Sequence, residues 1–375
     1  MKKIVLLFLG PIVIIGLGSC GLFNHNLNRI EKIKSRKFTE VNIEALVQDS
    51  TLNVRALEIV KSELAFPVYL TSKGEFGIIM PKPTFSHVDS LKNKPFYNHK
   101  VNLSNDSLKL NFRAMAVLNE RGYGITIGSP AMIFRLNADF EKNKIVYQEN
   151  HEKAFYDSMD FWNDQEGIAI GDPTNDCMSV IITRDGGETW TKLSCDDLPK
   201  VKKGEAAFAA SDTNIAIVGD HTWVATGGKT SRVLYSPDRG KTWAAYDTPI
   251  IQGKETTGMY SMDFYDEKNG FAIGGDYTKP NDTLANKIRT NDGGKTWQIV
   301  ADGQGPGYRS CVQYVPNSDG KGLVAIGFKG IDYSNDSGDS WTHLSDEGFY
   351  TLRFLNDSIA YAAGNGRISK LIFRE

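Results

Sequence analysis

Cysteine is scarce: four in 375 residues, with no C-x-x-C pair and no Cys/His cluster. The usual thiolate and Cys/His zinc motifs are therefore excluded. The six histidines are scattered and read as surface or packing residues. Charge of one sign is also missing, since 43 Lys and Arg face 45 Asp and Glu for a net −2. That balance argues against a nucleic-acid surface, which carries a basic excess. No G-x-G-x-x-G follows a strand pattern and no haem-attachment motif occurs, so nothing calls for a dinucleotide or other cofactor. Long helical periodicity is absent too. The 36 glycines and 11% aromatic residues suit many short strands joined by tight turns.

One stretch occurs four times: Thr183-Arg184-Asp185-Gly186-Gly187-Glu188-Thr189-Trp190, Ser236 to Trp243, Thr290 to Trp297 and Ser334 to Trp341. The shared pattern is Ser/Thr-x-Asp-x-Gly-x-Thr/Ser-Trp. The Asp and hydroxyl side chains bond the turn's own backbone, the Gly takes positive φ, and the Trp packs the following strand. Read this way, each stretch is a hairpin turn. The spacing, about one supersecondary unit of roughly 40 to 50 residues, indicates a repeat architecture.

The pattern resembles the Asp-box of the bacterial-neuraminidase-type repeat, which implies a turn between the two outer strands of a β-propeller blade. Aligning what precedes each turn gives seven strand starts, at Arg55, Arg113, Ser158, Glu205, Ser261, Arg309 and Thr351. The expectation is an all-β, seven-bladed propeller of four-stranded antiparallel blades. The chain stops after a third strand in its last repeat, so Phe38 to Ile43 is expected to supply the missing outer strand and cover an otherwise open edge. Pro81 to Asn98, rich in Pro and Lys, reads as an insertion replacing the first repeat's turn.

Three segments organise the chain. Lys2 and Lys3, the apolar run Ile4 to Leu17 and Leu17-Gly18-Ser19-Cys20 resemble a lipoprotein signal, with residues 1–19 removed and Cys20 acylated. An ordinary signal peptide or an uncleaved anchor is the alternative. Residues 20–37 are then a lipidated tether, and 38–375 a single propeller domain facing the periplasm or cell surface. There Cys177 and Cys195, which flank one turn, can pair as a disulfide. Cys311 reads as a small core residue.

In an up-and-down blade the third-to-fourth turns lie opposite the first-strand starts. The four repeated turns are therefore scaffold, and the functional face carries Arg55, Arg113 and Arg309. Guanidinium groups there suit a carboxylate or phosphate. Asp172, Asp220 and Asp276 are expected to end second strands on the same face. The bland alternative is that each arginine pairs with a neighbouring acid and each Asp caps its own turn. The long second-to-third turns, 221–232 and 277–287, are expected to rise there as well.

Two families share these features. Sialidases use an arginine triad with a Tyr/Glu pair and an Asp, which the resemblance would place on Arg55, Arg113 and Arg309 with Tyr308 and Glu205. However, Phe134-Arg135-Leu136-Asn137 lacks the proline of their Phe/Tyr-Arg-Ile-Pro motif. The closer resemblance, at 158–190 and 261–297, is to the photosystem II stability and assembly factor-like propellers. It implies a binding or assembly scaffold with an arginine patch.

Two functions follow. One is a scaffold whose channel mouth, lined by Arg55, Arg113, Arg309 and Glu205, takes an anionic group on a protein or glycan. The other is a glycoside hydrolase using Glu205 with Asp172, Asp220 or Asp276. It needs carboxyl groups roughly 5 to 10 Å apart, and acids buried in ion pairs would remove it.

Overall fold

The computed structural model describes residues 36–61, 64–81, 96–104, 108–118, 121–137 and 143–375. The leader at 1–19, Cys20, the tether up to residue 35 and residues 82–95 of the Pro/Lys-rich insertion lie outside them. Every regular element among the described residues is a β-strand, and consecutive strands within the sheets run antiparallel.

Four sheets have four strands each, beginning at Phe112–Leu118, Tyr156–Phe161, Ile215–Val218 and Cys311–Tyr314. A six-stranded sheet joins the four strands from Thr257–Phe264 to Gln298–Ile299 with two short ones, Glu205–Ala206 and Gly227–Gly228. A seven-stranded sheet runs from Thr351–Phe354 to Phe96–Asn102 and has the 21-residue strand Glu40–Val60 at its centre. The first part of that strand lies along Asn365–Arg374, with Glu40 opposite Arg374 and Val41 opposite Phe373. From Val54 it pairs instead with Phe66–Thr71. One strand thus serves as the outer strand of the last four-stranded set and the inner strand of the first.

The first strands lie side by side in chain order. Glu40–Val60 contacts Phe112–Leu118, then come Tyr156–Phe161, Ile215–Val218, Thr257–Phe264, Cys311–Tyr314 and Thr351–Phe354, which returns to Glu40–Val60. The core lies between sheets: Ile168, Val180 and Ile182 of one pack on Ile215, Val224 and Leu234 of the next. Because both faces of the sheets are covered, second strands such as Gly167–Gly171 are buried throughout.

The repeated turns behave as their residues dictate. In the first, the Thr183 hydroxyl donates to Asp185 Oδ1 at 2.9 Å and accepts the Gly187 N–H at 2.9 Å. Thr189 donates its N–H to Asp185 Oδ1 and its hydroxyl to Oδ2, at 2.9 and 2.6 Å. The same bonds recur around Asp238, Asp292 and Asp336. Each turn also grips the preceding sheet: Tyr123 donates to the Gly186 carbonyl at 2.6 Å and Trp223 to the Gly293 carbonyl at 2.8 Å.

The fourth repeat departs from the sequence reading. Its inner strand is Ile215–Val218, not a strand from Glu205, and His221–Ala225 is the second strand rather than a loop. Residues 207–214 are an alanine-rich and then polar stretch without β-branched alternation until Ile215. That stretch turns inward instead of pairing. Gly219-Asp220 therefore forms the first-to-second turn, at the end of the sheets where the repeated turns lie.

Candidate functional site

Four inner strands carry a β-bulge near their starts, and each leaves one residue unpaired. Val54 faces Thr71 and Ala56 faces Leu70, leaving Arg55. The same skip isolates Arg113 between Phe112 and Ala114, Asp157 between Tyr156 and Ser158, and Tyr260 between Met259 and Ser261. A bulge kinks the strand and re-aims its extra side chain. Two arginines, an aspartate and a tyrosine are thus presented at the first-strand end of four sheets.

Arg55 and Arg113 are half-buried and lie within each other's electrostatic reach. Burial, then the Arg55 charge, pulls the Arg113 guanidinium down to about 10, with Tyr350 and Asp157 opposing. Buried Nε and Nη1 of Arg55 and Nε of Arg113 have no hydrogen-bond acceptor. The Arg55 guanidinium lies over the Tyr350 ring, 3.9 Å from its centre. Such a contact stabilises the cation without engaging its N–H edges.

Asp157 is 0% exposed, and neither of its oxygens closes a hydrogen bond of ordinary geometry. Burial pushes its carboxyl well above the usual carboxylate range and Asp172 adds to this, while Arg113 and the Ala209 N–H oppose it. Asp172 is itself pushed up to about 6 by burial, against a 2.8 Å hydrogen bond from the Ala207 N–H. The circuit closes through aromatic rings. Phe208, next to Ala207, stacks on Tyr260 at 4.0 Å, and Tyr260 meets Tyr308 edge-on at 4.8 Å. Tyr308 lies within electrostatic reach of Tyr350 and Arg55. Tyr277, 47% exposed, and Phe328, 40% exposed, extend this wall outward.

Beneath the cluster runs Ser211-Asp212-Thr213, the segment that replaced the expected strand. Asp212 accepts the backbone N–H groups of Met115 at 2.7 Å and Met159 at 3.1 Å. Each donor stands two residues, about 7 Å, further along its strand than Arg113 or Asp157. Ser211 donates to the Ser310 carbonyl and Thr351 to the Ser211 carbonyl, at 2.6 and 2.7 Å. Thr213 and Ser261 share a hydroxyl bond of 2.7 Å, and Arg353 donates to the Asp212 carbonyl at 3.0 Å. Three residues thereby tie together the inner strands of five other sheets.

The remaining candidates sit elsewhere or are already engaged. Arg309 is buried, with Nε 2.6 Å from Asp332 and Nη1 2.8 Å from the Tyr308 carbonyl, so it does not join Arg55 and Arg113 as a free cation. Glu205 is buried against Arg232 at 2.7 Å and accepts from Thr226 and the Lys202 N–H. Both of its oxygens are engaged, which removes it as a catalytic carboxylate. Asp220 pairs with Arg239 of a repeated turn at 2.7 Å, on the face opposite to the one expected for it.

Asp276 does end a second strand as expected, and it caps its own turn by accepting the Thr278 N–H and hydroxyl at 3.0 and 2.6 Å. Burial would raise its carboxyl, but hydrogen bonds from Thr278 and Thr256 outweigh this and hold it low. Burial pushes the Tyr308 hydroxyl well up, Arg55 opposing, which works against a phenolate nucleophile. Cys177 and Cys195 form a disulfide with Cα atoms 5.4 Å apart, and Cys311 is buried and free. Among the described residues no group of His, Cys, Asp or Glu is placed to hold a metal ion.

Asp157, Tyr260, Phe208 and Tyr350 were not singled out from the sequence. The first two stand one residue before Ser158 and Ser261, the positions equated with the arginines. A signal was present in Leu52-Asn53-Val54-Arg55-Ala56 and Leu110-Asn111-Phe112-Arg113-Ala114, a second repeat that fixes where the bulge falls.

No known family model matches the chain, and no curated protein does. Solved structures do. One described as YCF48 bound to D1 peptide has a TM-score of 0.60 at 11% identity, covering 91% of this chain and 99% of its own. The WD40 repeats of RRP9 give 0.59 at 9% identity, covering 91% and 99%. The WD40 β-propeller domain of Doa1 gives 0.56 at 10%, covering 89% and 97%. These likenesses and the array of four-stranded antiparallel sheets define the chain as a β-propeller protein. At such identities the likeness speaks to fold alone.

Proposed function

We propose that this protein is a lipid-anchored, extracytoplasmic binding scaffold that receives an anionic group of a protein or glycan partner at Arg55 and Arg113. The observation that carries the reading is the pair of half-buried guanidinium groups whose inward N–H groups have no acceptor. Two like charges held together with no carboxylate bonded to either are costly unless a ligand supplies one.

In this reading the seven four-stranded sets are seven blades of a closed ring, and the repeated turns are Asp-boxes. The cyclic order of the inner strands and the shared strand Glu40–Val60 support it. The cluster then lines the mouth of a central channel. The Leu17-Gly18-Ser19-Cys20 sequence supports lipid attachment, and the Cys177–Cys195 disulfide suits an oxidising compartment. A propeller of the same fold with a peptide bound supports a protein partner. The hydrolase reading is not carried forward, because Glu205 and Asp276 are engaged and Asp220 lies on the other face.

The test is affinity capture from membranes with the lipidated protein, beside Arg55→Ala/Arg113→Ala. The scaffold reading requires a partner that the wild type retains and the double variant loses at unchanged thermal midpoint. Equal capture by both would sink it.

A further inference from the structure

The two arginines account for three of the unmatched buried polar atoms near this site, and acceptors account for the others. Asp157 is as conspicuous: a fully buried carboxyl with both oxygens unmatched, facing Arg113 across adjacent sheets without closing an ion pair. Asn53 and Asn111, two residues before each arginine, add two buried carbonyl oxygens without donors. Unmatched donors on Arg55 and Arg113 and an unmatched carboxyl on Asp157 therefore stand at neighbouring first-strand ends.

Building on the anion reading above, we propose that the occupant is a zwitterion, a carboxylate with an ammonium on the adjacent carbon, as in a free α-amino acid with an aromatic side chain. A bare anion would satisfy Arg55 and Arg113 but leave Asp157 unmatched. A bare cation would do the reverse. A molecule carrying both, one carbon apart, pairs with each side at once and leaves no buried charge alone.

The surroundings fit such a guest. Phe208, Tyr260 and Tyr308 form a run of aromatic rings that begins beside the Ala209 N–H facing Asp157, rings that accept an aromatic side chain edge-on or stacked. Ser211-Asp212-Thr213 crosses two residues, about 7 Å, further along the strands than the charged groups and bonds to inner strands on several sides, which closes off the site from below.

Titration calorimetry of the full chain with three probes tests the proposal: L-phenylalanine, 3-phenylpropanoate, which lacks the amine, and 2-phenylethylamine, which lacks the carboxylate. Phenylalanine should bind, and loss of either charged group should weaken binding at least about tenfold, the factor for one lost charge-assisted hydrogen bond. Asp157→Asn, close in shape, should abolish the preference for phenylalanine over phenylpropanoate. Arg113→Ala should abolish the preference for phenylalanine over phenylethylamine. Phenylpropanoate binding as tightly as phenylalanine would overturn the zwitterion while leaving the anion reading intact. So would an unchanged preference in a folded Asp157→Asn protein. Failure of all three probes would overturn it too, and membrane capture would then judge the anion reading separately.

Discussion

The Arg55 guanidinium stands 3.9 Å from the centre of the Tyr350 ring, with two of its buried nitrogens lacking any acceptor. A carboxylate in place of Tyr350 would have neutralised the cation and consumed its donors. An aromatic face supports the charge and leaves the donors free. In the same fold Arg309 shows the opposite arrangement, its Nε spent on Asp332 at 2.6 Å. The three arginines look alike in sequence, and their partners separate binding from structure.

A charge kept for binding should contribute nothing to stability. Replacing Arg113 by Met keeps the stem and removes a half-buried charge that sits beside Arg55. Denaturant unfolding should show stability unchanged or raised by up to about 1 kcal/mol. A loss above about 1 kcal/mol would mean that Arg113 holds the fold together. Arg309→Met, by contrast, leaves the buried Asp332 with only the His343 ring as a partner and should cost about 3 kcal/mol.

Asp212 is the structural counterpart. Its carboxylate takes backbone N–H groups from two neighbouring sheets, and Arg353 binds its carbonyl. Asp212→Ala leaves two buried donors without acceptors, at about 1 to 3 kcal/mol each. Unfolding should report a loss of about 3 to 5 kcal/mol. A loss below about 1 kcal/mol would show that the crossing segment is not the tie between sheets described here.

Much of this architecture was legible because it is local. The repeated turns specify their own hydrogen bonds within eight residues, and the alternation before each one marks the strands. The fourth repeat was misread where locality fails. The stretch from Ala206 to Asn214 is held by bonds to strands some 50 to 140 positions away, such as Thr213 to Ser261 and Thr351 to Ser211. No local pattern announces a segment that bonds to the inner strands of several sheets. The arginines at 55 and 113 were found by alignment, whereas Asp157 was missed by one residue because Ala154-Phe155-Tyr156-Asp157-Ser158 lacks the Leu-Asn-x-Arg-Ala pattern that accompanies the bulge in the first two repeats. Glu205 looked free because its partner Arg232 stands 27 residues on, in a strand the reading had placed in a loop.

The repeated turns allow a controlled packing test. Gly128 and Gly338 both have positive φ, +81° and +90°. A Cβ at Gly128 meets nothing, whereas one at Gly338 runs into the Phe271 ring of the preceding sheet. Gly128→Ala should cost about 1 kcal/mol, the backbone strain alone. Gly338→Ala should cost about 1 to 3 kcal/mol more through overpacking. Equal losses would refute the claim that each turn is wedged against its neighbour.

The last prediction concerns pH. Burial raises the Asp172 carboxyl to about 6, from about 3.9 in an unfolded chain. A raised acid is favoured in its protonated form by the fold, so its contribution is fully present below about pH 4. It is lost as pH rises through about 6. At about 1.4 kcal/mol per pH unit the loss reaches at most about 3 kcal/mol, less whatever solvent screens at this partly exposed group. Asp172→Asn keeps an oxygen for the Ala207 N–H and cannot ionise. Wild type and variant should therefore unfold alike at pH 4, and the variant should gain by about 1 to 2 kcal/mol at pH 7, the ceiling discounted for solvent screening. Parallel stability curves across this range would mean that Asp172 is solvated as an ordinary surface carboxylate, and the acidic half of the site would lose its basis.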